Sequence, residues 1–119
     1  MEFTYAHQYI LVPTPTVSLT ALNTQTVGQS LTLQCEVTTV RGITSRVDIV
    51  WSSGGTILRR INSTTATTMD NSLVYTDSYN ISQLNTTDDD RVIHCGVVIN
   101  STDLVMASNN ITLDVIGKY

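Results

Sequence analysis

Apolar and polar residues alternate along most of this 119-residue chain with a period of two rather than 3.6. Because successive side chains of a strand point to opposite faces of a sheet, this period predicts half-buried strands. The alternating runs are residues 31–37, 47–51, 73–75, 79–81, 93–99 and 111–115, with shorter pieces at 56–61 and 66–69. No window of helical length carries an apolar stripe of period 3.6, so the chain is predicted to be all-β.

Turn-forming residues separate these runs at residues 27–29, 53–55, 87–90 and 101–103. Seven to nine short strands in about 100 residues are typical of a two-sheet sandwich and less often of a barrel. A Pro/Thr stretch at residues 12–16 favours extended backbone and marks the start of the folded part. We therefore expect a lead or linker over residues 1–14, one domain over 15–116 and a linker over 117–119.

Three residues make the fold prediction specific, namely Cys35, Trp51 16 residues later and Cys95 60 residues after the first cysteine. The segments around them agree, with Gly28-Gln29-Ser30-Leu31-Thr32-Leu33-Gln34-Cys35 before the tryptophan and Tyr79, Ile81, Leu84 and Asp89 before the second cysteine. Over roughly residues 15–116 this pattern resembles the immunoglobulin family, in an I-set or short V-like form. The resemblance implies a two-sheet antiparallel Greek-key sandwich.

The resemblance also implies roles for individual residues. Cys35 and Cys95 would bridge the two sheets, and the core would contain Trp51, Leu33, Ile49 and Leu84. Without the resemblance, two free thiols in a cytosolic fold would be the alternative. The family's tyrosine two residues before the second cysteine is replaced by Ile93, so the usual tyrosine-corner hydrogen bond is expected to be absent or made otherwise.

The Pro/Thr lead and the Thr/Asn-rich strands are similar to the ectodomains of sponge receptor tyrosine kinases and related self-recognition receptors. This similarity implies an extracellular segment of a single-pass cell-surface protein, with any kinase outside this chain. The first ten residues lack the features of a signal peptide. We therefore interpret the chain as excised from a longer secreted protein, with Met1-Glu2-Phe3 as a cloning remnant.

Composition and charge narrow the function classes. The net charge is −4 and charged residues make up only 13% of the chain, with the basic residues scattered, so nucleic-acid binding is not expected. No run of 18 or more apolar residues occurs, so no insertion of this segment into a membrane is expected.

Five Asn-x-Ser/Thr sequons occur, which is more than chance would supply even in a hydroxyl-rich chain. They begin at Asn62, Asn80, Asn85, Asn100 and Asn110. Strand parity and turn positions allow each asparagine to carry a sugar without disturbing the core. N-glycosylation at several of them is therefore predicted.

No constellation of catalytic or metal-binding residues stands out. Asp88-Asp89-Asp90 suggests a calcium site, but one tripeptide cannot supply converging oxygens, and an ordinary turn is the stronger interpretation. His7 and His94 have no third ligand nearby. We therefore expect no enzyme activity, no metal and no cofactor in this chain.

Two surfaces are candidates for binding a protein partner. In the family's labels, strand C is the run at residues 47–51 and strand F the run at 93–99. Parity places Val50, Val92, His94 and Val98 outward on the sheet that holds these two strands, where we expect exposed apolar side chains. Valine also favours strands on either face, so this surface has an ordinary interpretation too. The second candidate is the loops, because loops on a rigid sandwich often carry recognition. These are the long B–C loop around residues 40–45, with Arg41 and Arg46 near its ends, and the F–G loop between the last two predicted strands.

The sequence thus supports a recognition module of a receptor or adhesion ectodomain, binding a protein partner or a second copy of itself. A passive glycosylated spacer in a multidomain ectodomain is the main alternative. An accessory domain of a secreted enzyme is a third, and fold alone does not choose among them.

Overall fold

The computed structural model describes residues 14–40, 47–63, 67–69, 72–99, 105 and 107–117. These residues form eight strands and one short 3-10 helix, Thr86–Asp88. The strands are β1 (Thr16–Ala21), β2 (Leu31–Val40), β3 (Val47–Ser53), β4 (Thr56–Ser63), β5 (Thr67–Met69), β6 (Ser72–Ile81), β7 (Val92–Ile99) and β8 (Ala107–Thr112).

The strands form two antiparallel sheets of four, in the orders β1-β2-β6-β5 and β4-β3-β7-β8. The chain crosses between the sheets after β2, β4 and β6, which makes the connections those of a Greek key. The structure therefore confirms the predicted immunoglobulin-like sandwich. Among the described residues the strand number is one more than in constant-type domains and one fewer than in variable-type domains.

The predicted strands appear in the structure with three differences. No strand was predicted where the structure has β1. A single strand, β6, covers the two separate runs that were predicted at residues 73–75 and 79–81. The last strand was predicted at residues 111–115, but β8 ends at Thr112. Beyond it the backbone bonds to the neighbouring corner instead, because the Leu113 N–H donates to Arg91 O at 2.8 Å and the Val115 N–H to Asp89 Oδ1 at 2.9 Å.

The core lies between the sheets and is built from the inward-facing positions of the alternating strands. Trp51, Leu33, Ile49 and Leu84 have no exposed surface. The other large, fully buried side chains of this core are Leu31, Val37, Val47, Ile93, Val97, Leu113 and Val115. Ile93, which stands where the immunoglobulin family usually has tyrosine, is thus a core residue, and the Asp89–Val115 hydrogen bond ties the same corner to the segment after β8.

A disulfide between Cys35 on β2 and Cys95 on β7 joins the centres of the two sheets, with their Cα atoms 6.5 Å apart. This confirms the pairing that the family resemblance implied. Trp51 lies beside Cys95 in the register of β3 and β7. Its ring stacks on Tyr79 from the opposite sheet with the ring centroids 5.5 Å apart.

A polar contact spans the same gap between the sheets. Asp77 on β6 accepts a hydrogen bond from the Trp51 indole N–H at 2.8 Å and from the Arg59 guanidinium Nε at 3.0 Å. The Asp77 side chain is only 9% exposed, so its charge needs these donors. The hydrogen bond and the charge of Asp77 raise the pKa of Arg59. Arg59 therefore stays charged at every physiological pH and holds β4 to β6.

The chain enters and leaves the described sandwich at opposite ends. Thr16, at the start of β1, pairs with Thr38 near the end of β2. At the other end, Ile116 forms a parallel bridge with Thr26, next to the β1–β2 turn. The connections β2–β3, β4–β5, β5–β6 and β7–β8 all begin and end at the entry end of the sandwich.

Removing the disulfide is expected to destabilise the domain strongly. Closing a loop of 60 residues stabilises a fold by about 4 kcal/mol in the chain-entropy model. Reduction, with the free thiols counted, should therefore lower the midpoint of chemical denaturation sharply, and so should Cys95→Ala. A denaturation midpoint that stays unchanged after complete reduction would contradict this expectation.

Removing the Asp77 carboxylate should cost more stability than removing its charged partner. Asp77→Ala leaves the Trp51 N–H without its acceptor between the sheets, and we expect a loss of about 2–3 kcal/mol in the free energy of unfolding. Arg59 is 45% exposed and its removal leaves Asp77 the Trp51 donor, so Arg59→Ala should cost less, about 1 kcal/mol. Urea denaturation of both variants measures the difference, and equal losses would show that the indole hydrogen bond is not the larger contribution.

Candidate functional site

The surface that the sequence singled out is the outward side of the β4-β3-β7-β8 sheet, called here the outer face. Its described side chains lie in rows across the four strands, because residues opposite each other in register share a face. The rows are Ile57, Ser52, His94 and Asn110; then Arg60, Val50, Gly96 and Ser108; then Asn62, Asp48 and Val98.

The expectation that the valines of this face are exposed is wrong. Val98 is 1% exposed and Val50 is 8% exposed, while Val92 and His94 are half-buried. Strand parity assigns a side chain correctly to the outside of the sheet, but it does not say whether other side chains cover that outside. Val50, Val92, His94 and Val98 are therefore not the open apolar patch that the alternation predicted.

The side chain of Asp48 shows that this part of the outer face is covered from solvent. Its carboxylate lies next to Val98 in register and is fully buried. The Arg60 guanidinium bonds it with Nη2–Oδ2 and Nε–Oδ2 distances of 2.9 and 3.0 Å. A carboxylate without solvent requires such a partner, so the Asp48–Arg60 pair is part of the fold rather than an open binding group.

A shallow concavity of about 330 Å³ opens lower on the outer face, between β3 and β7. The described residues that line it are Val50, Ser52, Gly55, His94, Gly96, Val105 and Ser108. Gly96 forms its floor, and a Cβ placed there would lie 2.9 Å from Val105 Cγ1. Gly96 is itself buried, because Val105, which is 47% exposed, takes the space that a side chain at Gly96 would need.

Ile57 is the outward apolar residue that the sequence analysis did not find. It is 60% exposed and lies opposite Ser52, which lines the concavity. A β-bulge between Trp51 and Ser52 shifts the register, so that Trp51 pairs with Arg59 but Ser52 pairs with Ile57. Simple alternation from Arg59 would turn Ile57 inward, whereas the bulge turns it outward. The Gly54-Gly55 turn just before the strand was the available signal.

Several predicted residues fall outside the described part of the chain. Arg41 and Arg46 of the B–C loop and the sequon asparagine Asn100 are among them. The described ends of β2 and β3, and of β7 and β8, place both connections at the entry end of the sandwich. The B–C loop therefore remains a candidate without a described surface.

The four described sequon asparagines are all exposed. Asn62 and Asn110 lie on the outer face, on the edge strands β4 and β8. Asn80 lies on the opposite sheet, where its Nδ2 donates to Thr32 Oγ1 at 3.0 Å. Asn85 precedes the short helix, and its backbone N–H donates to Asp88 Oδ2 at 2.9 Å. The asparagines are thus distributed over both faces and the turn end of the sandwich.

The Asp88–Asp90 tripeptide forms a turn in which the carboxylates serve the backbone. Asp88 accepts from the Asn85 N–H and pairs with Arg91 at 3.3 Å, and Asp89 accepts from the Val115 N–H. Asp90 has a φ of 65°, a conformation that aspartate tolerates in turns. Within the described residues, no group of three or more His, Cys, Asp or Glu side chains is arranged to hold a metal ion.

No family model matches the sequence, and no curated protein matches it. In the part of the chain that the structure describes, no helix is long and apolar enough to cross a bilayer.

Proposed function

We propose that this chain is an extracellular recognition module of a cell-surface receptor or adhesion protein, and that it binds a protein partner through the outer face. The observation that supports this most is the concavity over Gly96 with Ile57 exposed beside it. Apolar side chains that stand open beside a depression of a rigid sheet are a recurring feature of protein interfaces.

The positions of the sequons are compatible with this use of the outer face. Asn62 and Asn110 lie on its edge strands, so neither roots a sugar on the central strands β3 and β7. Sugars at the two edges would frame the concavity and restrict which partners can approach. The activity is binding by surface complementarity and needs no catalytic group.

The extracellular location rests on the Cys35–Cys95 bond and the sequons. A structural disulfide is typical of proteins that fold in an oxidising compartment. In that compartment the exposed asparagines are available for glycosylation. We propose N-glycans at Asn62, Asn80, Asn85 and Asn110, and at Asn100 in the part of the chain without a described structure.

Glycosylation at Asn85 can be tested with two neighbouring threonines. Thr87 supplies the hydroxyl of the sequon Asn85-Thr86-Thr87, whereas Thr86 is its middle residue, and both are exposed. Thr87→Ala should lose one glycan from the secreted domain, and Thr86→Ala should keep it. Mass spectrometry before and after enzymatic deglycosylation measures this, and an unchanged glycan mass in Thr87→Ala would contradict the assignment.

A passive spacer is the second candidate, and two observations favour it. The chain enters and leaves the sandwich at opposite ends, as required of a module in a linear array. Sequon asparagines also lie on both sheet faces, so sugars could surround the module. The function of a spacer does not depend on the residues of the outer face, whereas the function of a recognition module does. Substitutions on the outer face therefore separate the two proposals.

The recognition proposal predicts binding that depends on the outer face. The secreted domain, multimerised on a fluorescent carrier, should stain cells of the source organism. Ser108→Arg places a long charged side chain at the wall of the concavity and should lower staining by about tenfold or more, as truncating or blocking a central contact does. Ser78→Arg, at an exposed position of the opposite sheet, is the matched control and should leave staining unchanged.

Each outcome of this experiment is informative. Equal staining by both variants would move the binding surface away from the outer face. Absence of staining by the unchanged domain would contradict recognition and favour the spacer.

A further inference from the structure

We propose that the partner of the outer face is a second copy of this chain, bound across a two-fold axis with each Ile57 inserted into the concavity of the other copy. This inference rests on the proposed function, because it names the partner of the same surface. It follows from the fact that one face carries both a projecting apolar side chain and a depression. In a two-fold interface, residue i of one copy contacts residue j of the other, and the reverse contact comes with it.

The spacing of these two features suits a two-fold arrangement. Ile57 on β4 lies directly across from Ser52 on β3, and the concavity lies between β3 and β7. Neighbouring strands are about 4.8 Å apart, so the side chain and the depression are separated by roughly one or two strand spacings. A two-fold axis that lies parallel to the sheets, between the two outer faces and midway between Ile57 and the concavity, places each Ile57 opposite the other copy's concavity.

The size and lining of the concavity match an aliphatic side chain. Its volume of about 330 Å³ exceeds the ~150 Å³ of a cavity that holds one benzene molecule, so a branched side chain fits. Val50, Gly96 and Val105 supply apolar contacts on its floor and wall. Ser52, His94 and Ser108 also line the concavity. These polar side chains can keep hydrogen bonds with water when an apolar side chain enters.

The charges of the outer face permit two identical copies to meet. The chain as a whole carries a net charge of −4, which opposes self-association through an acidic surface. On the outer face, however, the charges of Asp48 and Arg60 are opposite and lie within 2.9 Å of each other. A two-fold contact here therefore brings together a locally compensated surface.

The area of the face predicts a weak, reversible dimer. Four strands at about 4.8 Å spacing, and a strand length of about 27 Å from about 3.4 Å per residue, give an upper limit of roughly 500 Å² per copy, because the proposed glycans at Asn62 and Asn110 occupy the edge strands. The total of about 1,000 Å² lies below the usual range of about 1,200–2,000 Å² for stable specific complexes. A contact of this size predicts a dissociation constant in the micromolar range.

The experiment is sedimentation equilibrium of the glycosylated, disulfide-bonded domain from low micromolar concentration to its solubility limit. The unchanged domain should be in a monomer–dimer equilibrium. Ile57→Asp should weaken the dimer by about 30-fold or more, as expected for loss of a central anchor, and Ser108→Arg should do the same by blocking the concavity. Leu22→Asp, at another exposed apolar position, is the matched control and should dimerise normally.

Mixing the two weakened variants is the decisive step. In a mixed dimer, the intact Ile57 of the Ser108→Arg copy meets the intact concavity of the Ile57→Asp copy. At the second contact, the introduced carboxylate meets the introduced guanidinium. Association should therefore return in the mixture to within about tenfold of the unchanged domain, although neither variant associates alone.

Three results would overturn the proposal. The unchanged domain could be a monomer at all concentrations, the two variants could dimerise normally, or both could be monomers that the mixture does not rescue. Circular dichroism and denaturation midpoints equal to those of the unchanged domain establish that the variants are folded. A monomer whose outer face still governs cell staining would overturn only the two-fold dimer and leave recognition of a different partner in place.

Discussion

The covalent bond between Cys35 and Cys95 is the constraint on which the rest of the sandwich depends. It fixes β2 against β7, and the strand registers then determine the neighbours of each sulfur. Asp77 lies beside Cys35 in one sheet, and Trp51 lies beside Cys95 in the other, with Arg59 next to it. Asp77 accepts hydrogen bonds from Arg59 and Trp51, so polar contacts also join the two sheets next to the disulfide. One covalent and one polar link therefore hold the sheets together at the same level.

This arrangement also determines what the outer face presents. Because Arg59 turns inward to Asp77, the edge strand β4 is anchored to the opposite sheet. The β-bulge next to this anchor reverses the alternation, so that Ile57 points outward beside Ser52. The exposed isoleucine is thus a consequence of this local register shift, whereas Arg59 keeps the regular register opposite Trp51. The same strand supplies Arg60, which compensates the buried charge of Asp48.

The outer face therefore differs from a flat apolar patch. Its valines are covered, its buried carboxylate is paired, and its open features are the concavity over Gly96 and the side chain of Ile57. Interfaces of modest area derive most of their specificity from a few such anchors rather than from area alone. The glycans proposed at the sequon asparagines of β4 and β8 would add a further restriction at the edges.

The sequence by itself determined the all-β class and the sandwich, and through its family resemblance it implied the disulfide and the buried positions of Trp51, Leu33, Ile49 and Leu84. Period-two alternation and cysteine spacing can be read along the sequence, because they do not depend on which strands pack together. Only the tertiary structure decided the exposure of the outer face. The burial of Asp48 depends on Arg60 from the neighbouring strand, and the outward turn of Ile57 depends on a bulge defined by pairing with β3. The Asp77 contact was likewise invisible along the chain, because Trp51, Arg59 and Asp77 meet only when the two sheets pack.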